Sequence, residues 1–231
     1  MKKYKKILVK FSGESFGEKG KRLEPGKVQS IVSEIKSLRS ARVKVAVVCG
    51  GGNVSRWKDT QKGDRVEVDL KGMKGTLKNV EALAKALKEL KVPVQVYASF
   101  SLKSKYPHYN HQRARKDWQL GKTLIFAGGT GHPFFTTDTA AILRALEIKA
   151  EVFIKATKVD GLYTADPLKD RQARKIGRLS YQKYLELDLK VIDSTAISLA
   201  RENRLPVRIA KWQPGNILKL AGGKASGSII N

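Results

Sequence analysis

Apolar residues recur along the chain in two rhythms. Short, nearly continuous apolar runs at Lys5 to Phe11, Val43 to Cys49, Val92 to Ala98, Lys122 to Phe126, Glu151 to Ala156 and Val207 to Ala210 have the length and β-branched content of buried strands. Helical spacing fills the stretches between them. Val28, Ile31, Val32, Ile35 and Leu38 share one face of a helix after Pro25, and Val80, Leu83, Ala84, Leu87 and Leu90 form the stripe of a long helix over 69–90, whose first turns Gly72 and Gly75 weaken. Ile142, Ala145, Leu146 and Lys149 follow Thr136-Thr137-Asp138, where either threonine suits an N-cap and the aspartate suits the positive helix end. Tyr181 to Leu187 and Ser194 to Glu202 predict further helices, and 227–230 a last short strand. Asp160-Gly161 predicts a hairpin or a βα loop that Asp166-Pro167 stops, whereas 99–120 is polar, poorly periodic and without a predicted element. Strands that come singly with helices between them predict an α/β fold with a mostly parallel sheet covered on both faces.

In such sheets ligands sit beyond the carboxyl ends of the strands, and the loops there carry the candidate chemistry. Residues 127–141 join a strand exit, the glycines Gly128, Gly129 and Gly131, and a helix N-terminus, which together make a phosphate cradle. Phe134 and Phe135 in the same loop suit a flat, phosphorylated ligand. Gly50-Gly51-Gly52-Asn53 repeats the arrangement after another buried strand, with Arg56 placed to pair bidentately with a phosphate. Lys10 ends the first strand beside Ser12-Gly13. A lysine there either reaches water along a sheet edge or meets an anion, and the neighbouring Ser12-Gly13 turn favours a phosphate.

The chain has 231 residues, room for one domain over 1–231, and nothing in it resembles a linker. No apolar run approaches the roughly 20 residues of a membrane span, and the apolar run after Met1-Lys2-Lys3 stops at Val9, too short for a signal segment. One cysteine, Cys49, permits no intramolecular disulfide and reads as a small buried hydrophobe, so a cytoplasmic address is expected. Charge changes the picture more: 46 Lys and Arg against 21 Asp and Glu give +25. Three sources fit that excess: a face for nucleic acid, a cleft for phosphorylated small molecules, or lysine spread over the surface. The basic residues run from Lys2 to Lys224 without an arginine-rich tract or an aromatic-interleaved platform. His108 and His111 have the spacing of a helical metal pair, but only Asp117 stands near them as a further ligand, and solvated histidines are the simpler reading.

Standard nucleotide motifs fail. Gly121-Lys122-Thr123 mimics the end of a Walker A loop, but Lys116 stands where its first glycine belongs, and no G-x-G-x-x-G follows a strand. What remains, Lys10, Arg56, Asp69, Asp138, Lys158 and the glycine loops, fits phosphoryl transfer, in which a protein positions two anions and neutralises the charge between them.

Four segments carry a resemblance: Lys10-Phe11-Ser12-Gly13-Glu14, Gly50-Gly51-Gly52-Asn53, Ala127 to Asp138, and Lys155 to Gly161 with Tyr163 and Asp166-Pro167. In these the chain resembles the bacterial uridylate kinases of the amino acid kinase family, from Tyr4 to about Ile230. The resemblance implies a three-layer αβα sandwich, usually a homohexamer, that moves the γ-phosphate of Mg·ATP to UMP, with Mg2+ carried by ATP rather than held by a dedicated protein site. It matches Lys10, Phe11, Ser12 and Gly13 to the ATP phosphates, and Gly52 and Arg56 to the ATP side of the second loop. Thr157, Tyr163 and Asp166 match the ATP nucleoside pocket. Gly51 and Asp69 match the UMP side, the latter at the ribose, and Thr130, Gly131, His132, Pro133, Phe134, Phe135, Thr136 and Thr137 match the stretch that wraps uracil and the UMP phosphate. Lys10, Asp138 and Arg56 are the implied catalytic set. The chain departs from the family pattern at Ser55 and Trp57, at Lys71 and Lys74, and at His132 in place of asparagine. A different reading gives a nucleotide-binding regulator that contacts nucleic acid through its basic surface, with weak or no kinase activity.

Overall fold

The apolar runs become strands within a residue or two of where they lie. In the computed structural model, which describes residues 3–18, 23–55, 61–99, 103–167, 169–224 and 227–231, β1 is Lys6–Phe11, β2 Lys44–Cys49, β3 Val94–Ala98, β4 Thr123–Ala127, β5 Val152–Thr157 and β9 Val207–Lys211. A ribbon of β6 (Leu162–Tyr163) and β7 (Lys175–Ile176) stands apart, while β8 (Arg178–Leu179) and β10 (Ser228–Ile230) complete the main sheet. Its order is β3-β4-β2-β1-β5-β9-β10-β8, parallel throughout except where β10 runs against β9. Parallel strands need crossovers, and the helices supply them: α1 (Pro25–Ser40), α2 (Arg65–Glu89), α3 (His111–Gln119), α4 (Thr137–Glu147), α5 (Tyr181–Glu186), α6 (Ser194–Glu202) and α7 (Asn216–Ala221).

Strand alternation divides the core between two layers. Ile7, Val9 and Phe11 of β1 pack with α1, α2 and α7, whereas Leu8 of β1 and Phe153 of β5 face the other way, toward α3, α4, α5 and α6. The αβα sandwich expected from the resemblance is the observed architecture. Alternation also puts Lys10 on the Leu8 face, the side that α4 covers.

Four stretches differ from their sequence reading. The long helix starts at Arg65 rather than Asp69, because the Asp64 carboxylate accepts the Val66 amide at 2.8 Å and caps it a turn earlier. Within 99–120, α3 is capped by Asn110 and buries only Ala114 and Trp118, too thin an apolar stripe to register as helical. His108 pairs with Ala98 in a strand-like bridge before that helix, so His108 and His111 do not share a helical face. The 157–163 segment is no hairpin with β5, since β6 pairs antiparallel with β7 instead. Periodicity gives no sign of α7, whose start depends on a distant residue, buried Glu34 of α1: its carboxylate accepts the Gly215 and Leu218 amides. Cys49 is buried and free, and burial pushes its thiol pKa up, as a packing residue requires.

Candidate active site

Every candidate loop follows a parallel strand, so all open on the carboxyl edge of the sheet. The register of β1 and β5 sets the centre: Lys10 lies directly opposite Lys155, and both point to the α4 face. Asp138 in the first turn of α4 meets them. Its Oδ1 pairs with Lys10 Nζ at 3.1 Å, and its Oδ2 accepts a hydrogen bond from Lys155 Nζ, which also donates to the Val191 carbonyl. Two lysines and one carboxylate, all shielded from water, leave a net positive charge. Burial works against the Asp138 charge, but Lys10 and Lys155 outweigh it and hold its carboxyl at about 2. Burial lowers Lys155 to about 8, with Asp138 opposing and Lys10 adding to the shift.

Thr136 is the N-cap of α4 that the sequence offered in duplicate: its Oγ1 accepts the Asp138 amide at 3.0 Å and the Thr139 amide at 3.3 Å. Asp193, which no sequence motif singles out, accepts the hydroxyls of Thr136 and Thr139 at 2.5 and 2.8 Å and caps α6 through Ala196, tying two helix N-termini together. The positive ends of both helices therefore point into the same edge.

A cavity of about 280 Å³ opens over this centre. It is lined by Lys10, Gly13, Gly51 and Gly52, by Asp69 of α2, by Thr130, His132, Phe134, Phe135, Thr136 and Thr137 around the start of α4, and by Asp138 and Lys155. Gly131 and Pro133 belong to the same loop without lining the cavity. Asp69 Oδ2 accepts the Phe134 amide at 2.8 Å and pairs with Arg65 at 3.5 Å, while the Arg65 guanidinium lies 4.9 Å from the centre of the Phe134 ring. Phe134 has a φ of 71°, a left-handed backbone that costs a side-chain-bearing residue about 1–2 kcal/mol. The strain falls on an exposed phenylalanine whose amide is held by the partly buried Asp69 carboxylate.

A second cavity of about 250 Å³ lies beside the first, and Ser12 and Thr157 line it together with Lys27, Lys158, Lys211 and Trp212. Ser12 lines the smaller hollow and its chain neighbour Gly13 the larger. Phe11 faces neither: its ring is core, edge-on to Trp212 at 4.9 Å, and only its backbone reaches the site, accepting the Gly50 amide at 2.8 Å. Tyr163 and Asp166 sit on or after the β6 strand, the tyrosine hydroxyl donating to Asp160 at 2.5 Å and the Asp166 carbonyl accepting the Lys169 and Asp170 amides. Neither lines either of these two hollows. Arg56 and Trp57 lie outside the described residues.

Lys155 has no role that its local sequence declares, although its place opposite Lys10 follows from strand alternation once β1 and β5 are known to pair. Trp212 and Lys211 carry no local signal either, since they matter only because β9 is the neighbour of β5.

Comparison with known proteins agrees with this geometry. The amino acid kinase family matches residues 5–211. A uridylate kinase of Wolinella succinogenes is 43% identical over 226 residues, covering 96% of this chain and 94% of that protein. A uridylate kinase of Ectopseudomonas mendocina is 41% identical over 232 residues, covering 99% and 94%. The crystal structure of a UMP kinase from Bacillus anthracis superposes with a TM-score of 0.94 at 31% identity, covering all of this chain and 97% of that one.

Proposed function

The chain belongs to the amino acid kinase family, and from that premise we propose that it is a UMP kinase, transferring the γ-phosphoryl group of ATP to UMP to give UDP and ADP. One observation carries the assignment of roles: Lys10 and Lys155, locked by Asp138, line the larger hollow, and the same two strands lead within two residues to Ser12 and Thr157 of the smaller one, so a donor in one and an acceptor in the other would present their phosphates near the same pair of cations.

In this reading the larger hollow takes UMP. Phe134 and Phe135 flank the base, Asp69 reaches the ribose, and the α4 N-terminus with Thr136 and Thr137 receives the phosphate. The smaller hollow takes ATP, with Ser12 and Gly13 at its phosphates and Thr157 toward the nucleoside, and Tyr163, Asp166 and Arg56 are assigned to the ATP side by family position. Lys10 stabilises the charge that builds on the transferring group, and Asp138 aims both lysines rather than acting as a base. Among the described residues no cluster of three or more His, Cys, Asp or Glu offers a metal cage, and the Asp138 carboxylate is occupied by lysines. Mg2+ would arrive on the ATP phosphates and would there neutralise charge between donor oxygens. The same reading makes the chain a homohexamer, which light scattering on the purified protein measures.

The test is acceptor selectivity. Purified protein with Mg·ATP should release ADP with UMP and far more slowly with CMP, AMP or GMP. Equal turnover of CMP, or none with UMP, would overturn the assignment.

A further inference from the structure

The buried face of α2 is apolar except at two positions one turn apart, Thr76 and Asn79, exposed by 1% and 0%. A buried polar group survives there only if its hydrogen bonds are met, and each residue has at least one partner in the glycine loops. Thr76 Oγ1 donates to the Met73 carbonyl at 2.7 Å and accepts the Gly128 amide at 2.7 Å. Asn79 donates to the Gly50 carbonyl at 2.7 Å and exchanges amide hydrogen bonds with Asn53 at 2.9 and 3.0 Å. Thr76 also faces the first loop: a Cβ placed on Gly51 would lie 3.2 Å from its methyl group. One side chain thus stands between the Gly50–Asn53 loop and the Gly128–Gly131 loop, hydroxyl to one and methyl to the other, at the back of the larger cavity.

We propose that Thr76, braced by Asn79, is a positioning residue that sets the spacing between the two glycine loops and so the approach of donor to acceptor. The inference rests on the UMP kinase reading of the site. Thr76 contacts the loops and is assigned no contact with the reacting atoms. Its chemistry explains why threonine fits: serine would keep the oxygen and lose the methyl spacer, valine would keep the shape and leave the Gly128 N–H buried without an acceptor. Small displacements of this kind are amplified in phosphoryl transfer, where a shift near 1 Å costs on the order of 100-fold in rate.

Thr76→Val is the decisive variant. It should lower kcat roughly 10- to 100-fold and raise the KM for UMP more than that for ATP, since Gly128 leads into the UMP-side loop. Thr76→Ser should restore most of the loss. A residue needed only for stability would lower the melting temperature and the active fraction while leaving kcat per active site and both KM values alone. Amide exchange reads the tether without any activity: Gly128 should be protected in the wild type and in Thr76→Ser and exposed in Thr76→Val. If the valine variant does not fold, Thr76→Ala removes the same acceptor and is judged by the same criteria. Unchanged kinetics in the folded valine or alanine variant, a serine variant as impaired as valine, or an unprotected Gly128 amide in the wild type would overturn the proposal. A wild type without UMP-dependent ADP release would sink the kinase reading instead, and the exchange result would still decide the tether.

Discussion

The two glycine loops look alike in sequence and owe their glycines to different physics. At Gly51 the limit is space: a Cβ would sit 2.1 Å from the Gly72 carbonyl oxygen, because α2 presses its own backbone against the loop. At Gly129 the limit is conformation: φ is 59° and no atom lies within 4 Å of where a Cβ would stand, so only the left-handed backbone excludes other residues. One loop is wedged against a helix, the other is bent in the open. Space fixes the glycine of the first, and backbone shape that of the second.

Removing the charge while leaving both loops intact separates holding from chemistry. Lys10→Met should reduce kcat by about 10²- to 10³-fold with little change in either KM, measured by steady-state ADP release. A large KM change with kcat preserved would make Lys10 a binding residue only. Gly51→Ala breaks the wedged loop: the clash is with backbone that cannot turn away, and the expected cost is about 1–3 kcal/mol of stability by denaturant titration, together with a loss of kcat. Gly129→Ala breaks the open loop more gently, by about 1 kcal/mol. Asparagine sharpens the contrast, since it tolerates the left-handed backbone: Gly129→Asn should cost less than Gly129→Ala, and Gly51→Asn more than Gly51→Ala, both read as melting temperatures. If replacing alanine by asparagine shifted both sites in the same direction, the distinction between space and conformation would fail.

The smallest effect concerns pH. Burial lowers Lys155 from 10.5 to about 8, so the folded chain gives up this proton before the unfolded chain does. The group therefore favours folding increasingly as pH rises from about 8 toward 10.5, and below 8 the cost of burying its charge is carried in full. Over the same range kcat should decline as the site loses a cation that faces Asp138, Lys10 and Asp193. Lys155→Arg, which stays charged, should move that limb out of the accessible range.

Much of this was legible in the chain. Buried strands announce themselves as apolar runs, and glycine loops after them mark the carboxyl edge, so the sheet and the α4 cap at Thr136 were readable locally. Lys10 is expected from its turn to meet a phosphate, and the partner it has in the structure is the Asp138 carboxylate. What escaped depended on contacts across the sequence. Gly72 and Gly75 read as weak points in a helix, whereas they let α2 lie against Ser55 and Val54: a Cβ on Gly72 would stand 3.0 Å from the Ser55 oxygen, and one on Gly75 2.7 Å from the Val54 Cβ. Asp193, Trp212 and α7 became visible only through partners far along the chain, such as Thr136 for Asp193. Tyr163 and Asp166 show the opposite case, residues whose family position is plain but which line neither hollow.

The central claim is direct passage of a phosphoryl group between two nucleotides across one pair of buried lysines. ATP labelled in its γ-phosphate, mixed with UMP in a single turnover, measures it. Label should appear in UDP at the rate ADP forms in the wild type, and far more slowly in Lys10→Met; label released as inorganic phosphate regardless of UMP, or transfer unaffected by Lys10→Met, would contradict direct transfer.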